Sequence, residues 1–215
     1  MKKAFSILVL GSCVLWSGSQ ATAASFCDAV SGNLVLNCGF ETGDFTSWTV
    51  GGNTLNSGGN YYGVDAFDAN SGNYGAFMSQ DLVDGGTAPV TLSQTLSTAA
   101  GSIYSVSFWL EQDTVPTAGY THAFYATFGG TTLLNLTPTV AVPGIVGTFT
   151  EYTYSGTATG ASTALTFSFE NDDSYWSFDD ASVTLTGTAT PEPSTWILAG
   201  IALGVLFQMK RVSRA

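Results

Sequence analysis

Residues 103–112 read Ile103-Tyr104-Ser105-Val106-Ser107-Phe108-Trp109-Leu110-Glu111-Gln112, and residues 163–170 read Thr163-Ala164-Leu165-Thr166-Phe167-Ser168-Phe169-Glu170. Tyr104, Val106, Phe108 and Leu110 alternate with Ser105, Ser107, Trp109 and Glu111; Leu165, Phe167 and Phe169 alternate with Thr166, Ser168 and Glu170. A period of two belongs to a β-strand, whose successive side chains leave opposite faces. The first set of each stretch is the candidate core.

The same reading extends to both sides. Candidate strands are 34–37, 47–50, 61–66, 74–79, 90–97, 103–112, 122–128, 131–136, 148–155, 163–170 and 176–186, separated by Gly, Asn, Asp and Thr clusters. Many short strands with frequent turn signals predict an all-β chain folded as a two-sheet sandwich or jelly roll. In 176–186 the apolar parity changes. Trp176 and Phe178 share one phase, and Ala181, Val183 and Leu185 the other. A β-bulge at Asp179-Asp180 would explain the switch and re-aim a carboxylate.

Charge narrows the function. Of 215 residues only 10% are charged, against about 25% in ordinary soluble domains, while 13% are aromatic. The five cations are Lys2, Lys3, Lys210, Arg211 and Arg214; the sixteen acids all lie between Asp28 and Glu192, giving a net charge of -11. A chain with no Lys or Arg between its ends lacks the basic footprint that nucleic acid requires. Phosphate clamps and Schiff-base chemistry are excluded with it. The single histidine, His122, shares the parity of Phe124 and Phe128, which suits a core or edge position better than a base. No Gly-x-Ser-x-Gly elbow occurs, and one histidine without a cysteine cluster does not make a zinc site. A carboxylate pair for glycoside hydrolysis is the weakest remaining enzyme reading. The chain is expected to be non-catalytic.

The two ends read as addresses. Residues 1–24 combine Met1-Lys2-Lys3, an apolar run from Ala4 to Trp16 and an Ala21-Thr22-Ala23 cleavage pattern, as in a secretory signal peptide. Leu10-Gly11-Ser12-Cys13 leaves a lipoprotein signal as the alternative. The folded domain is then 25–188. Export to an oxidising compartment favours pairing of its two cysteines, Cys27 and Cys38; closing so short a loop adds about 3 kcal/mol in the chain-entropy model. Residues 189–215 hold Pro191-Glu192-Pro193-Ser194-Thr195-Trp196, an apolar run from Ile197 to Phe207 and a basic end. The apolar run falls short of the ~20 residues of a transmembrane helix, so it predicts a transient membrane stop with its basic end in the cytoplasm.

This tail resembles the PEP-CTERM sorting signal of Gram-negative bacteria. The resemblance implies recognition of Pro191-Glu192-Pro193 by an exosortase, and a place at the cell surface or in an exopolysaccharide matrix or biofilm. The opening stretch Asn33 to Trp48 and the closing stretch Asn171 to Val183 are similar to the first and last strands of carbohydrate-binding-module jelly rolls of the galactose-binding-like type. In those modules a structural calcium ion sits where the two strands meet, which maps Glu41, Asp179 and Asp180 onto that site. Calcium takes hard oxygen ligands, and no Lys or Arg is at hand to relieve these acids; ordinary solvated acids capping turns are the alternative. The Asp172-Asp173 pair reads as turn chemistry.

A sugar site needs aromatic platforms with polar neighbours. Trp109 and Tyr125 lie opposite the core parity of Phe108 and Phe124, with Glu111, Thr166, Ser168 and Glu170 expected on the same face. If both faces of that sheet are covered, Trp109 is simply core. A carbohydrate binder of this kind would hold exopolysaccharide. A structural or adhesive matrix protein would lack a discrete glycan. An ice-binding protein would carry flat threonine arrays, and no Thr-x-Thr ladder stands out along this chain.

Overall fold

A computed structural model describes residues 24–52, 62–80, 88–115, 120–137, 144–172 and 174–188. The sorting motif Pro191, Glu192 and Pro193, the apolar run after it and all of the signal peptide but Ala24 lie outside the described residues. Among the described residues no helix is long and apolar enough to cross a membrane.

Among the described residues one 3-10 turn, Phe26–Ala29, precedes ten strands: β1 (Thr49–Gly52), β2 (Tyr62–Asp65), β3 (Gly75–Met78), β4 (Val90–Ser97), β5 (Ile103–Gln112), β6 (His122–Phe128), β7 (Thr131–Leu136), β8 (Thr150–Thr157), β9 (Ser162–Asn171) and β10 (Trp176–Gly187). They form two five-stranded antiparallel sheets. Sheet A runs β1-β4-β9-β6-β7 and sheet B runs β2-β3-β10-β5-β8. β4 to β7 begin and end where the alternation places them.

The inner faces hold the predicted core. Tyr104, Val106, Phe108 and Leu110 of β5 and Leu165, Phe167 and Phe169 of β9 are all buried. Phe108 of sheet B meets Phe167 of sheet A at 5.1 Å between ring centroids, and Phe167 meets Phe178 at 4.5 Å. Aromatic pairs at such separations add about 0.5–1.5 kcal/mol each beyond their buried area.

β10 carries the expected irregularity. Its register against β5 shifts between Asp179 and Ser182, and Asp180 has φ of 52°. The bulge lets Trp176 and Phe178 before it, and Ala181 and Val183 after it, all enter the core. Leu185 departs from the parity reading: it is exposed, near the strand's end.

One expected strand is absent. Residues 34–37 form no strand and run into a bend at Leu36 and Asn37, with Asn37 at φ of 48°. The Leu36 N–H donates to Gln94 Oε1 at 2.8 Å, and Gln94 Nε2 donates back to the Leu36 carbonyl at 3.0 Å. A side-chain amide thus takes the place of a neighbouring strand. Nearby, a disulfide joins Cys27 to Cys38, tying the 3-10 turn to the stretch that precedes β1.

Candidate functional site

The six residues expected to share one sugar-binding face do not. β5 belongs to sheet B, while β6 and β9 belong to sheet A. Trp109 and Glu111 therefore stand on the outer face of sheet B, and Tyr125 and Glu170 on the outer face of sheet A, on opposite sides of the sandwich. Parity along a strand separates inside from outside; it does not say to which sheet the strand belongs.

The outer face of sheet A is built from short hydroxyl side chains. Direct cross-strand pairing aligns Thr49, Ser93, Thr166, Thr127 and Thr132 in one rank across all five strands. The next rank aligns Gly51, Thr91, Ser168, Tyr125 and Asn135. Neighbouring strands lie about 4.8 Å apart and every second residue about 6.7 Å along, so these side chains are regularly spaced from β1 to β6, while on β7 a register shift between Ala126 and Thr127 separates Thr132 and Asn135 by three residues. Tyr125 is half-buried and rises from hydroxyl and amide neighbours. Glu170 lies opposite Ala123, diagonal to Tyr125, which is within reach of a long side chain. Burial, and then Asp172, push the Glu170 carboxyl above its ordinary range, with His122 pulling it back.

The outer face of sheet B is partly roofed. Trp109 lies opposite Asp179 on β10 and Glu151 on β8. Phe26 of the 3-10 turn packs on it at 6.3 Å between ring centroids. Trp109 is accordingly half-buried and not inside the core. Burial, and then Asp113, raise the Glu111 carboxyl.

The carboxylates expected to hold calcium are engaged by protein donors. Asp179 Oδ2 accepts the N–H groups of Asn70 at 2.8 Å and Ser71 at 3.1 Å, and its Oδ1 accepts the Asp180 N–H at 2.7 Å. Asp180 accepts the Cys27 N–H at 3.2 Å, Asn70 Nδ2 at 2.8 Å and the Ser71 hydroxyl at 2.7 Å. Glu41 holds a different piece of chain, accepting the Asn73 N–H at 2.9 Å and Asn73 Nδ2 at 3.1 Å. Among the described residues, the one trio of His, Cys, Asp or Glu ligand atoms lying within 4.8 Å of one another is Cys27, Asp28 and Cys38. Two of those are spent in the disulfide. In this arrangement N–H and O–H groups of the chain engage the oxygens of Asp179 and Asp180, while Glu41 is engaged on a separate stretch. Burial, and then Asp180, push the Asp179 carboxyl up to about 8, against the pull of those N–H groups.

Donors Asn70 and Ser71 could not be read from the sequence, being more than a hundred residues from Asp179 and Asp180. The hydroxyl grid has a trace in the sequence: Thr91, Ser93, Thr95 and Ser97 alternate along β4. His122 is buried in the sandwich, its Nδ1 bonded to Asn171 Oδ1 at 2.7 Å. Asp172 braces a turn, accepting the Thr121 N–H at 2.7 Å; Asp173 lies outside the described residues. A groove of about 550 Å³ beside β1 and β4 is lined by Leu34, Leu36, Gln94 and neighbours, without an aromatic ring or a carboxylate.

No family model and no curated protein matches the chain. Solved structures do. TmCBM61, in complex with beta-1,4-galactotriose, aligns at 22% identity over 73% of this chain and 100% of that one, with a TM-score of 0.48. The CBM22-1 xylan-binding domain of Paenibacillus barcinonensis Xyn10C aligns at 15% identity over 70% of this chain and 93% of that one, TM-score 0.46. The CBM22-1-GH10 modules of Clostridium thermocellum endo-1,4-beta-D-xylanase 10B, complexed with xylohexaose, align at 16% identity over 75% of this chain and 30% of that one, TM-score 0.51. At these identities the likeness is one of fold. The described chain is a jelly-roll β-sandwich of the kind found in carbohydrate-binding modules.

Proposed function

We propose that this chain is a non-catalytic glycan-binding module that holds a polysaccharide across the outer face of sheet A. Its support is Tyr125, half-exposed in a rank with Thr91, Ser168 and Asn135 and diagonal to Glu170. The ring offers a platform to sugar C–H groups. The hydroxyls, the amide and the carboxylate offer hydrogen bonds to sugar hydroxyls. Export and exosortase sorting to the cell surface or matrix belong to the same proposal, supported by the signal-like start and the Pro191-Glu192-Pro193 tail. The expected ligand is the producing cell's exopolysaccharide. Calorimetric titration should give saturable heat, and Tyr125→Ala should weaken binding about tenfold, the loss of one aromatic contact of about 1.4 kcal/mol. Saturable binding unchanged in that variant would refute this face; no binding at all would favour a structural or adhesive matrix protein.

One observation favours a second reading. The rank of Thr49, Ser93, Thr166, Thr127 and Thr132 runs across five strands, brought together by pairing rather than by sequence order. An array of hydroxyls in rank is what ordered water in ice would meet. Ice-growth inhibition by the purified protein, abolished by Thr166→Tyr in mid-rank, would support ice binding over glycan binding.

A further inference from the structure

The described acids are unevenly placed on the sandwich. The strands of sheet A present one carboxylate on their outer face, Glu170. Sheet B presents Asp65 on β2, Glu111 on β5 and Glu151 on β8, with the buried Asp179 of β10 opposite Trp109. Asp68 joins them, its carboxylate bonded to the Ser177 hydroxyl of β10, and Asp113 follows β5, held by the Ser174 hydroxyl at 2.9 Å. They feel one another: Asp65 and Asp113 add to the rise that burial imposes on Asp68, and Asp113 does the same to Glu111. No Lys or Arg stands between residues 3 and 210 to offset them.

Aromatic rings stand in line with these acids. Trp109 lies directly opposite Glu151, has Glu111 two residues along its own face and carries Phe26 over it. In the next rank Phe77 lies opposite Ser177, which lies opposite Glu111, and Phe77 meets Tyr175 edge to face at 5.4 Å. Phe26 and Tyr175 are both exposed, at 58% and 36%. A ring beside a carboxylate attracts an ammonium group twice, through the ring's negative face and through charge. The same acids repel polyanions, and their mutual repulsion gives a neutral chain no advantage here.

We propose that the outer face of sheet B is a docking surface for a polymer carrying primary ammonium groups, specifically a glycan of amino sugars whose amines are not acetylated. Sugar rings would lie on Phe77 and on the part of Trp109 that Phe26 leaves uncovered, and ammonium groups would reach Glu151 and Glu111. This surface is separate from the one around Tyr125 and stands or falls independently of it.

The test titrates the purified protein at pH 6 with three probes: a hexamer of glucosamine, the fully N-acetylated hexamer, and hexalysine. The glucosamine hexamer should bind, weaken roughly tenfold in Trp109→Ala and in a Glu111→Gln/Glu151→Gln pair, and weaken as salt rises from 0.1 to 0.5 M. Tyr125→Ala should leave that binding intact. Trp109→Phe, which keeps a ring, should recover most of the affinity if Trp109→Ala is poorly folded. Equal binding of the acetylated hexamer would overturn the proposal, because the charge would then be idle. Hexalysine binding as tightly, and indifferent to Trp109→Ala, would also overturn it in favour of an unspecific cation surface or a basic protein partner. Absence of binding by the glucosamine hexamer overturns it outright.

Discussion

Asp180 shows how one side chain can tie two distant pieces of chain to its own strand. It sits at a positive φ that Asp and Asn tolerate better than other non-glycine residues. Its two oxygens accept from the 3-10 turn at Cys27 and from Asn70 and Ser71, the loop between β2 and β3. Asp180→Asn keeps the size and the backbone preference but turns one acceptor into a donor. That donor would face the Asn70 amide or the Ser71 hydroxyl, leaving buried polar groups opposed. Lost hydrogen bonds to a charged group are worth about 1.5–3 kcal/mol each, and unsatisfied partners add to the loss. The variant should therefore lose about 2–3 kcal/mol in urea denaturation, with the slope unchanged. Wild-type curves in calcium and in chelator should superimpose, since the donors already fill the site; a midpoint raised by calcium would instead establish a structural ion at Glu41, Asp179 and Asp180. The parity switch at Asp179-Asp180 was legible in sequence because a bulge changes which side chains are apolar. The donors were not legible, because nothing local marks a contact across more than a hundred residues.

At the scale of elements, strands were readable where one face is buried and the other wet, as in β4, β5, β6 and β9. Residues 34–37 misled for an identifiable reason. Leu34, Val35 and Leu36 look like a strand, yet Leu36 is 62% exposed and its N–H and carbonyl are both taken by the Gln94 amide. Gln94 occupies an inward position in β4, between Leu92 and Leu96, and spends its side chain on this stretch. Gln94→Ala should remove both bonds and free the segment. We expect a loss of about 1–2 kcal/mol, with amide exchange accelerated at Leu36 before β4 itself opens. Exchange at Leu36 unchanged in the variant would show that the disulfide and the Leu34 N–H bond to the Val183 carbonyl hold the segment unaided. The candidate sugar face failed at this same scale. Trp109 and Tyr125 were each correctly placed outside the core, but assigning them to one face required the sheet order, which pairing alone decides.

Across the whole molecule, the absence of internal cations sets how stability responds to pH. Burial leads the rise in both the Asp179 carboxyl, up to about 8, and the Asp68 carboxyl, up to about 6. Both groups have ordinary values near 3.9 when the chain is unfolded. The folded state therefore binds more protons than the unfolded state above pH ~4, and stability falls as pH rises. The Asp68 part is complete below about pH 4 and gone above about 6; the Asp179 part continues to fade until about 8. Asp44 acts in the opposite sense. Hydrogen bonds from Thr46 and Thr42 hold its carboxyl low, so its contribution exists above the unfolded value and disappears as pH drops below it. Mounting negative charge adds self-repulsion on the alkaline side, with no Lys or Arg in the folded region to absorb it. The melting temperature should then peak between about pH 4 and 5 and decline steadily to pH 8, unlike most proteins, whose optimum lies between about 5 and 8. Asp68→Asn should flatten the decline between pH 4 and 6 while leaving the stretch from 6 to 8 in place. Scanning calorimetry across that range, at fixed ionic strength, checks both parts. A melting temperature that rises toward pH 8 would mean that Asp179 folds as an anion, its charge held by the N–H groups of Asn70, Ser71 and Asp180 more strongly than burial opposes it.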